Sequence, residues 1–504
     1  MQPPVVETAS GPVEGKLRKN HVAFRGIPFA APPVGVRRFA APEPPEPWTA
    51  PLLAHECGPS ALQGEAFAPG AAAEGPTGED CLYLNVFTPG ADARRRPVLV
   101  FIHGGGFIVG SSSSPLYDGG RLAELGDQVV VTFNYRLGAF GYLCLGEAGA
   151  RWGAVPNAGT LDQLAALRWV QANIERFGGD PANITVFSES AGATSAVHLM
   201  AIPGAEQLFR RVIAESPAMG VHLAEQEVAI GLGEQLLRAF GLGLADSEKL
   251  RELPAAAIRK AQLGVRGRPN DWLGFFPVLD PATIPVQPRE LFAAGGGARV
   301  PLLIGYNRDE WNLFELPTRD DADQKLDLAR ALDDRWPQHA RDRLPELLEL
   351  YRRSRKDKGL PHHDVALKRA VLGDLRFRMP SVRIAELHAA RGLPTYAYLF
   401  SYSSPGLNGA LGACHALELG FVFGNLDAPM QDRFAGSGPA VEALSSEMMR
   451  AWTSFAARGV PHAEDASYWP RYDAARRATR VFDTPSKVID APFDDERAAW
   501  DGIV

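Results

Sequence analysis

The 504-residue sequence predicts an α/β fold with a mostly parallel central sheet flanked by helices, because strand-like and helix-like segments alternate along it. The strand-like runs are short and rich in β-branched residues, and each is followed by a turn and a helical pattern. Their hydrophobicity is continuous, which is typical of parallel strands buried on both faces. The clearest runs are Val98 to Ile102, Val129 to Phe133, Ile184 to Phe187, Arg211 to Ala214, Pro301 to Ile304 and Tyr396 to Phe400.

Helical segments are predicted between and after these strands. Apolar residues recur at helical spacing from Thr160 to Phe177, and Thr160 and Gln163 have the spacing of a capping box at its start. Segments at about 220–300 and 312–390 are rich in Leu, Ala, Arg and Glu, and we interpret them as helical insertions around a pocket. Because no repeat or low-complexity linker is present, residues 1–504 are interpreted as a single large domain.

Composition argues against several classes of function. The net charge is -7 and no long run of Lys and Arg is present, so nucleic acid is not an expected partner. The first residues lack a signal-peptide pattern and the longest apolar runs are only strand-length, so we expect a cytoplasmic protein without a membrane span. Cys57, Cys81, Cys144 and Cys414 have no CxxC spacing, so we expect reduced, mostly buried thiols.

A candidate nucleophile, Ser190, lies where the apolar run that starts at Ile184 gives way to a helical pattern. A sharp corner between strand and helix would hold its hydroxyl at the carboxyl edge of the sheet. The residues two before and two after must be small, because strand and helix approach each other closely there. Gly192 meets this requirement, whereas Ser188 departs from the usual G-x-S-x-G pattern, and we expect it to be tolerated. The five-residue match alone is weak, since many such serines are ordinary caps or turns.

A glycine-rich segment supports the interpretation of a hydrolase site. The sequence His-Gly-Gly-Gly-Phe at 103–107 directly follows the strand at 98–102, where enzymes with such a serine corner place an oxyanion hole. Glycines let backbone N–H groups converge on an oxyanion in conformations that a β-carbon would obstruct. Gly105, Gly106 and Ala191 are the expected donors. The alternatives are a flexible loop or a dinucleotide fingerprint, and the latter fails on spacing because Gly110 comes one residue late.

The acid and base of a triad should follow the serine in the order acid, then histidine. Glu310 ends a strand-like run and His415 lies in a glycine-rich loop, both where strand ends meet loops. From the residues alone, Asp309 is a rival for the acid, and either carboxylate could equally be a solvated turn residue. Ten other histidines compete with His415. The pair at 362 and 363 resembles a metal site, but no HExxH or Cys/His ligand spacing supports one.

Longer motifs extend over most of the chain. They lie at 24–35, 79–89, 134–141, 161–170, 177–181 and 452–470, and the most specific reads Glu-Asp-Cys-Leu-Tyr-Leu-Asn-Val-Phe-Thr-Pro at 79–89. With these motifs, the sequence from about residue 5 to 490 closely resembles the type-B carboxylesterase/lipase family, which includes bacterial carboxylesterases and the cholinesterases. The resemblance implies an α/β-hydrolase fold.

The resemblance also implies roles for individual residues. The family's acid lies in an Arg/Lys-Asp-Glu segment, which assigns Glu310 rather than Asp309, and its histidine precedes a segment matched by 418–424, which assigns His415. With Ser190 as nucleophile, the implied activity is hydrolysis of neutral, small to medium carboxylic esters through an acyl-enzyme, with no metal or cofactor. The alternatives are a lipase, a carbamate or amide hydrolase on the same triad, or a binding protein of this fold without activity.

The sequence departs from the family pattern at four places. Ser188 stands where glycine is usual, and Trp311 replaces the glycine that usually follows the acid. Extracellular relatives pair the equivalent of Cys81 with an upstream cysteine, but Ala61 occupies that position here, so we expect no such disulfide. The loop at 64–78 contains no tryptophan, the residue that stacks on a quaternary ammonium group in cholinesterases, so choline esters are expected to be poor substrates.

Overall fold

A mixed sheet organises the computed structural model, which describes residues 3–66, 68–69, 71–218, 223–265, 274–332, 336–461 and 468–504. Eleven strands form this sheet in the described part of the chain. They are β1 Lys16–Leu17, β2 Val22–Pro28, β3 Tyr83–Thr88, β4 Arg96–Ile102, β5 Val129–Phe133, β6 Gly179–Glu189, β7 Arg211–Glu215, β8 Leu302–Asn307, β9 Thr395–Phe400, β10 Ala478–Phe482 and β11 Lys487–Asp490. Short strands at Val5–Glu7, Pro12–Glu14 and Leu52–Leu53, and at Ser60–Ala61 and Thr77–Gly78, form two small separate sheets.

The strand order in the sheet is β11-β10-β9-β8-β7-β6-β4-β5-β3-β2-β1. The block from β10 to β5 is parallel throughout, while β11 pairs antiparallel at one end and β3, β2 and β1 pair antiparallel at the other. All residues of β5, β8 and β9 are buried, as expected for central strands covered on both faces. The α/β fold with a mostly parallel sheet is therefore confirmed. The six predicted runs coincide with strands, except that Pro301 lies one residue before β8.

Sixteen α-helices flank the sheet within the described ranges. They are α1 Gly120–Gly126, α2 Gly138–Tyr142, α3 Gly146–Ala150, α4 Ala158–Asn173, α5 Ala191–Leu199, α6 Gln226–Arg238, α7 Ala255–Gln262, α8 Pro288–Ala293, α9 Leu328–Leu332, α10 Leu344–Asp357, α11 Asp364–Gly373, α12 Met379–Ala390, α13 Leu419–Phe423, α14 Gln431–Phe434, α15 Pro439–Arg458 and α16 Asp494–Ala499. None of these helices is both long and apolar enough to cross a bilayer.

Helix α4 confirms the predicted helix, but its predicted capping box is wrong. The helix begins at Ala158, two residues before Thr160, and its last turn continues as a 3-10 helix over Ile174–Phe177. Gln163 lies inside the first turns, and its amide donates 3.0 Å to the Ser195 hydroxyl on α5. Packing between the two helices thus determines the role of Gln163, and the local capping signal does not.

The two segments predicted as insertions are largely helical where the structure describes them. Helices α6, α7 and α8 lie in the first, and α9 to α12 lie in the second, where a π-helical turn at Asp374–Arg378 joins α11 to α12. Residues 220–222, 266–273 and 333–335 of these predictions lie outside the described residues.

A buried ion pair fixes the loop after β5 to helix α4. Asp162 is fully buried, and its two carboxylate oxygens accept hydrogen bonds from Nε and Nη2 of Arg136 at 2.8 and 2.7 Å and from the Arg136 backbone N–H at 3.0 Å. The guanidinium also donates to the Ala40 carbonyl at 2.7 Å. All the donors and acceptors at this point are matched, so removal of one partner leaves an uncompensated buried charge.

We therefore expect Asp162→Asn to lower the free energy of unfolding by about 3–5 kcal/mol, since the Arg136 guanidinium loses its counter-charge in a buried site. Equilibrium denaturation in urea measures this loss. The matched control is Asp490→Asn, whose carboxylate pairs with Arg476 while both side chains are half exposed. Equal losses in the two variants would contradict the assignment of a stabilising role to burial of the pair.

Candidate active site

The candidate nucleophile lies at a sharp corner between β6 and α5. Strand β6 ends at Glu189, helix α5 begins at Ala191, and Ser190 between them has φ 55° and ψ -123°. A positive φ is costly for a residue with a β-carbon, so the surrounding structure must hold it. The Ser190 backbone N–H donates to the Glu215 carbonyl of β7 at 2.8 Å, which anchors the corner to the neighbouring strand.

The residues two positions either side of Ser190 have different surroundings. A β-carbon on Gly192 would lie 2.1 Å from the Ile102 carbonyl oxygen, so only glycine fits there. Ser188 is fully buried in the pairing of β6 with β7, and its hydroxyl donates to the Ile213 carbonyl at 3.0 Å. The extra atoms at 188 therefore have a hydrogen-bonding partner, which gives a physical reason for their presence in this crowded strand.

The structure brings Ser190, His415 and Glu310 into one hydrogen-bonded line. The Nε2 atom of His415 lies 2.8 Å from the Ser190 hydroxyl oxygen, and its Nδ1 atom lies 2.6 Å from the Glu310 carboxylate. The other carboxylate oxygen of Glu310 accepts from the Ser216 hydroxyl at 2.6 Å and from the Asn307 N–H at 2.7 Å. Glu310 is thus held by several donors in an orientation that faces the imidazole.

Asp309 faces away from this line. Its carboxylate accepts from Arg308 Nε and from the Ala413 N–H, both at 2.9 Å, and the Asp309 N–H donates to the Ala413 carbonyl at 2.9 Å. The backbone N–H of His415 in turn donates to the backbone carbonyl of Glu310 at 3.3 Å. These bonds join the loop that contains Glu310 to the loop that contains His415. Asp309 therefore links the two loops, while Glu310 contacts the imidazole.

A second carboxylate, Glu189, contacts the imidazole from the side of the nucleophile. One of its oxygens lies 3.0 Å from His415 Nε2, and both side chains are buried. Burial alone would lower the pKa of His415, but the negative charges of Glu189 and Glu310 outweigh burial and raise this pKa well above its ordinary value. The site therefore favours the charged imidazolium.

The three residues predicted to supply oxyanion donors lie around one pocket. Gly105, Gly106 and Ala191 line the same pocket as Ser190 and His415. Gly105 and Gly106 have φ of 105° and 62°, while Ala191 is the first residue of α5 and has no acceptor within its helix. All three predicted donors therefore border the pocket that contains Ser190, and their role stays a prediction.

The pocket in front of Ser190 has mostly apolar walls. It contains about 1070 Å³ of empty space, including the part open to solvent. Phe314 and Phe377 pack against the imidazole, with ring centroids 5.1 and 4.4 Å from that of His415. The other apolar lining residues include Ala66, Ala68, Ala71, Phe107, Val109, Phe276, Trp311 and Leu313.

Trp311 forms part of the pocket wall. It is buried in the 3-10 helix Glu310–Leu313, and its ring packs on Phe314.

All four cysteines are free thiols, three of them buried, as the sequence predicted, and Cys57 is half-buried. Of the two adjacent histidines, His362 is exposed and the His363 ring accepts from the Ala366 N–H at the start of α11. Among the described residues, no cluster of metal-ligating side chains is present.

Comparison with known proteins identifies the family. The sequence pattern of the carboxylesterase family matches residues 2–500. The chain belongs to the carboxylesterase family. It is 38% identical to para-nitrobenzyl esterase of Bacillus subtilis (strain 168) over 499 residues, which cover 98% of this chain and 97% of that protein. The predicted resemblance is confirmed, and the protein is a serine carboxylic ester hydrolase.

Solved structures agree with this carboxylesterase in fold. A thermophilic PNB esterase superposes with a TM-score of 0.86 at 35% identity, covering 98% of this chain and 99% of that one. A carboxylesterase of Geobacillus stearothermophilus gives a TM-score of 0.85 at 39% identity with the same coverage. The α/β-hydrolase fold expected from the sequence is therefore confirmed.

Sequence reasoning missed two side chains of the carboxylesterase site. Glu189 contacts His415, and its position directly before the nucleophile at a strand end was the available signal. Ser216 contacts Glu310, and it directly follows strand β7, two residues after the end of the predicted run at 211–214. Neither contact could be derived from spacing, because the partners are 226 and 94 positions apart in the chain.

The charge of Glu189 gives a pH prediction. A raised pKa of His415 places the acid limb of kcat/KM above the ordinary histidine value near 6.5, because only the neutral imidazole can accept the serine proton. We expect Glu189→Gln to move this limb to lower pH, since one of the two charges that stabilise the imidazolium is lost. The measurement is the pH profile of kcat/KM on a neutral acetate ester. A limb that stays in place, or moves upward, would refute this electrostatic account.

Proposed function

We propose that this carboxylesterase cleaves esters through a triad of Ser190 as nucleophile, His415 as general base and Glu310 as its partner. The observation that carries the proposal is the continuous line from the Ser190 hydroxyl through His415 to Glu310, at 2.8 and 2.6 Å. Nucleophile, base and orienting acid lie within hydrogen-bond distance, which is the geometry that activates a serine.

In the first step, His415 accepts the serine proton as Ser190 attacks the ester carbonyl. The carbonyl oxygen becomes an oxyanion, and the N–H groups of Gly105, Gly106 and Ala191 receive it. The imidazolium then gives its proton to the alkoxide that leaves, so an alcohol departs and an acyl-enzyme remains. Glu310 keeps the Nδ1 proton in place and stabilises the imidazolium.

The second step repeats the first with water as the nucleophile. His415 accepts a proton from water, the resulting hydroxide attacks the acyl-enzyme, and the Ser190 oxygen leaves with the proton returned by His415. The carboxylic acid product is released and the serine is restored. The imidazole is buried, which strengthens these interactions because charges attract each other more strongly in a protein interior than in water.

The pocket supports neutral esters of small to medium size as substrates. Its walls combine alanines with the rings of Phe107, Phe276 and Phe314, which suit an apolar acyl or alcohol group. Arg376 also lines the pocket, in the π-helical turn directly before Phe377. The apolar walls would desolvate a cationic group on the substrate, which is unfavourable without a paired charge.

We further propose that residues 1–504 form one domain and that the protein works in the cytoplasm. The strands of the central sheet are drawn from positions 16 to 490, so the sheet cannot be divided into separate sequential units. The four free thiols suit a reducing compartment.

The proposal predicts the behaviour of Ser190→Ala. This variant should lose about 10⁶-fold in kcat on a chromogenic ester, because the atom that forms the acyl-enzyme is absent. It should also lose covalent labelling by an organophosphate, which intact-protein mass spectrometry detects as one adduct on the parent enzyme. An adduct on the variant at full stoichiometry would rule Ser190 out as the nucleophile.

The adjacent carboxylates provide a matched pair for the acid. We expect Glu310→Gln to lower kcat by roughly 10⁴-fold, because an amide cannot hold the same imidazole tautomer or stabilise its charge. Asp309→Asn should cause a much smaller loss, since Asp309 contacts Arg308 and Ala413 and not the imidazole. Steady-state kinetics measure kcat for both variants, with the concentration of folded enzyme matched to that of the parent. If the two losses were reversed, the acid would be Asp309.

Choline esters test the pocket. We expect kcat/KM for acetylthiocholine to be about tenfold or more below that for its neutral isostere 3,3-dimethylbutyl thioacetate. The apolar pocket desolvates the quaternary ammonium group, and no tryptophan in 64–78 supplies the cation–π contact, worth ~1–2 kcal/mol, that would offset this cost. Equal turnover of both substrates by the parent enzyme would contradict this view of the pocket.

A further inference from the structure

We infer that Gln63 is a positioning residue for the oxyanion hole, a role that rests on the proposed function of Gly105 and Gly106. Gln63 lies in the segment that follows the short strand Ser60–Ala61, far in sequence from the triad and from the glycine loop. Its side chain nevertheless holds the end of that loop.

Both ends of the Gln63 amide bond to Gly110. The side-chain oxygen accepts the Gly110 N–H at 2.7 Å, and the side-chain nitrogen donates to the Gly110 carbonyl at 2.9 Å. The same nitrogen donates to the Ala61 carbonyl at 3.0 Å, which fixes the amide within its own loop. The amide thus pairs with Gly110 as a strand residue would pair with its neighbour, and it restrains that residue in two directions.

Gly110 is the point at which the glycine loop closes on its own beginning. Its φ is 114°, and a β-carbon there would lie 2.3 Å from His103 Nδ1 and 2.4 Å from the Gly104 carbonyl oxygen. The end of the loop therefore packs directly on its first residues. Because of this packing, a shift of Gly110 would displace the segment that carries the expected oxyanion donors.

Hydrogen bonds inside the loop transmit this restraint to a donor. The N–H groups of Ile108 and Val109 both donate to the Gly105 carbonyl, at 3.1 and 3.0 Å. The Gly105 carbonyl and the Gly106 N–H belong to one planar trans peptide, so they point in opposite directions. Fixing the carbonyl toward Val109 therefore fixes the Gly106 N–H on the other side. Gln63 holds Gly110, Gly110 follows Val109, and Val109 orients the peptide that presents the donor.

Other contacts hold the loop at different points, so it should fold without Gln63. The Tyr135 hydroxyl donates to the His103 carbonyl at 2.9 Å, and the Gly138 N–H donates to the Phe107 carbonyl at 2.7 Å. Neither contact reaches Gly110. We therefore expect loss of the Gln63 amide to loosen the Gly105–Gly106 peptide while the protein stays folded.

The test is Gln63→Met, which keeps the length of the side chain but removes its hydrogen bonds. We expect kcat per active site to fall by about 10- to 100-fold, less than the loss of a whole oxyanion donor, with KM changed by less than about threefold. Gln63→Glu keeps an acceptor for the Gly110 N–H but loses the donor to the Gly110 carbonyl. Its kcat should therefore lie between those of the parent and Gln63→Met. Gln171→Met is the matched control, because Gln171 donates to the Gln207 carbonyl at the surface, away from the site.

Affinity for a trifluoromethyl ketone separates positioning from a merely structural role. The adduct of this inhibitor with the serine carries an oxyanion, so its Ki should rise by the same factor as kcat/KM falls across parent, Gln63→Glu and Gln63→Met. The acid limb of the pH profile should stay at the parent value, because the imidazole is not disturbed. A merely structural role would instead lower the titrated fraction of active sites and leave Ki per titrated site unchanged.

Two results would overturn the inference. One is a kcat per titrated site in Gln63→Met within twofold of the parent; the other is a loss of activity without any loss of ketone affinity. If the proposed triad were wrong, the result would be different: Ser190→Ala would keep its activity, whether or not residue 63 is glutamine. The two proposals can therefore fail separately.

Discussion

The close approach of helix α5 to strand β4, at the corner where β6 ends, is the constraint on which the site depends. At this corner Gly192 lies against the Ile102 carbonyl with no room for a β-carbon, and Ser190 is held at φ 55°. The Ser190 N–H is tied to β7, so the strain is balanced by bonds to the centre of the sheet. The same corner places the serine hydroxyl at the carboxyl end of the central strands, with the first N–H of α5 beside it.

Burial of several carboxylates determines the electrostatics around the imidazole. Glu189 and Glu310 contact His415 directly, and Glu215 and Glu418 are buried in the same region. Burial raises the pKa of both Glu215 and Glu418, and neighbouring carboxylates raise it further. Ionisation of these two buried carboxyl groups is therefore disfavoured beside the carboxylates that contact His415.

Local patterns predicted the elements whose cause is local. The run at 129–133 matches β5 at both ends, because a strand buried on both faces needs apolar residues at every position. The capping box at Thr160 failed because Gln163 bonds to Ser195 on a different helix. The rivalry between Asp309 and Glu310 could not be resolved from the residues themselves, and the family resemblance was needed to choose between them.

The sequence by itself determined the fold, the serine corner and the glycine loop, since each places a demand on residue size or hydrophobicity at fixed positions along the chain. Only the tertiary structure decided which carboxylates reach His415 and which amide holds Gly110. Adjacent residues such as Asp309 and Glu310 point to different sides of the backbone, and a hydrogen bond depends on tenths of an ångström between segments far apart in sequence. Those distances arise from the packing of the whole chain, which no short pattern contains.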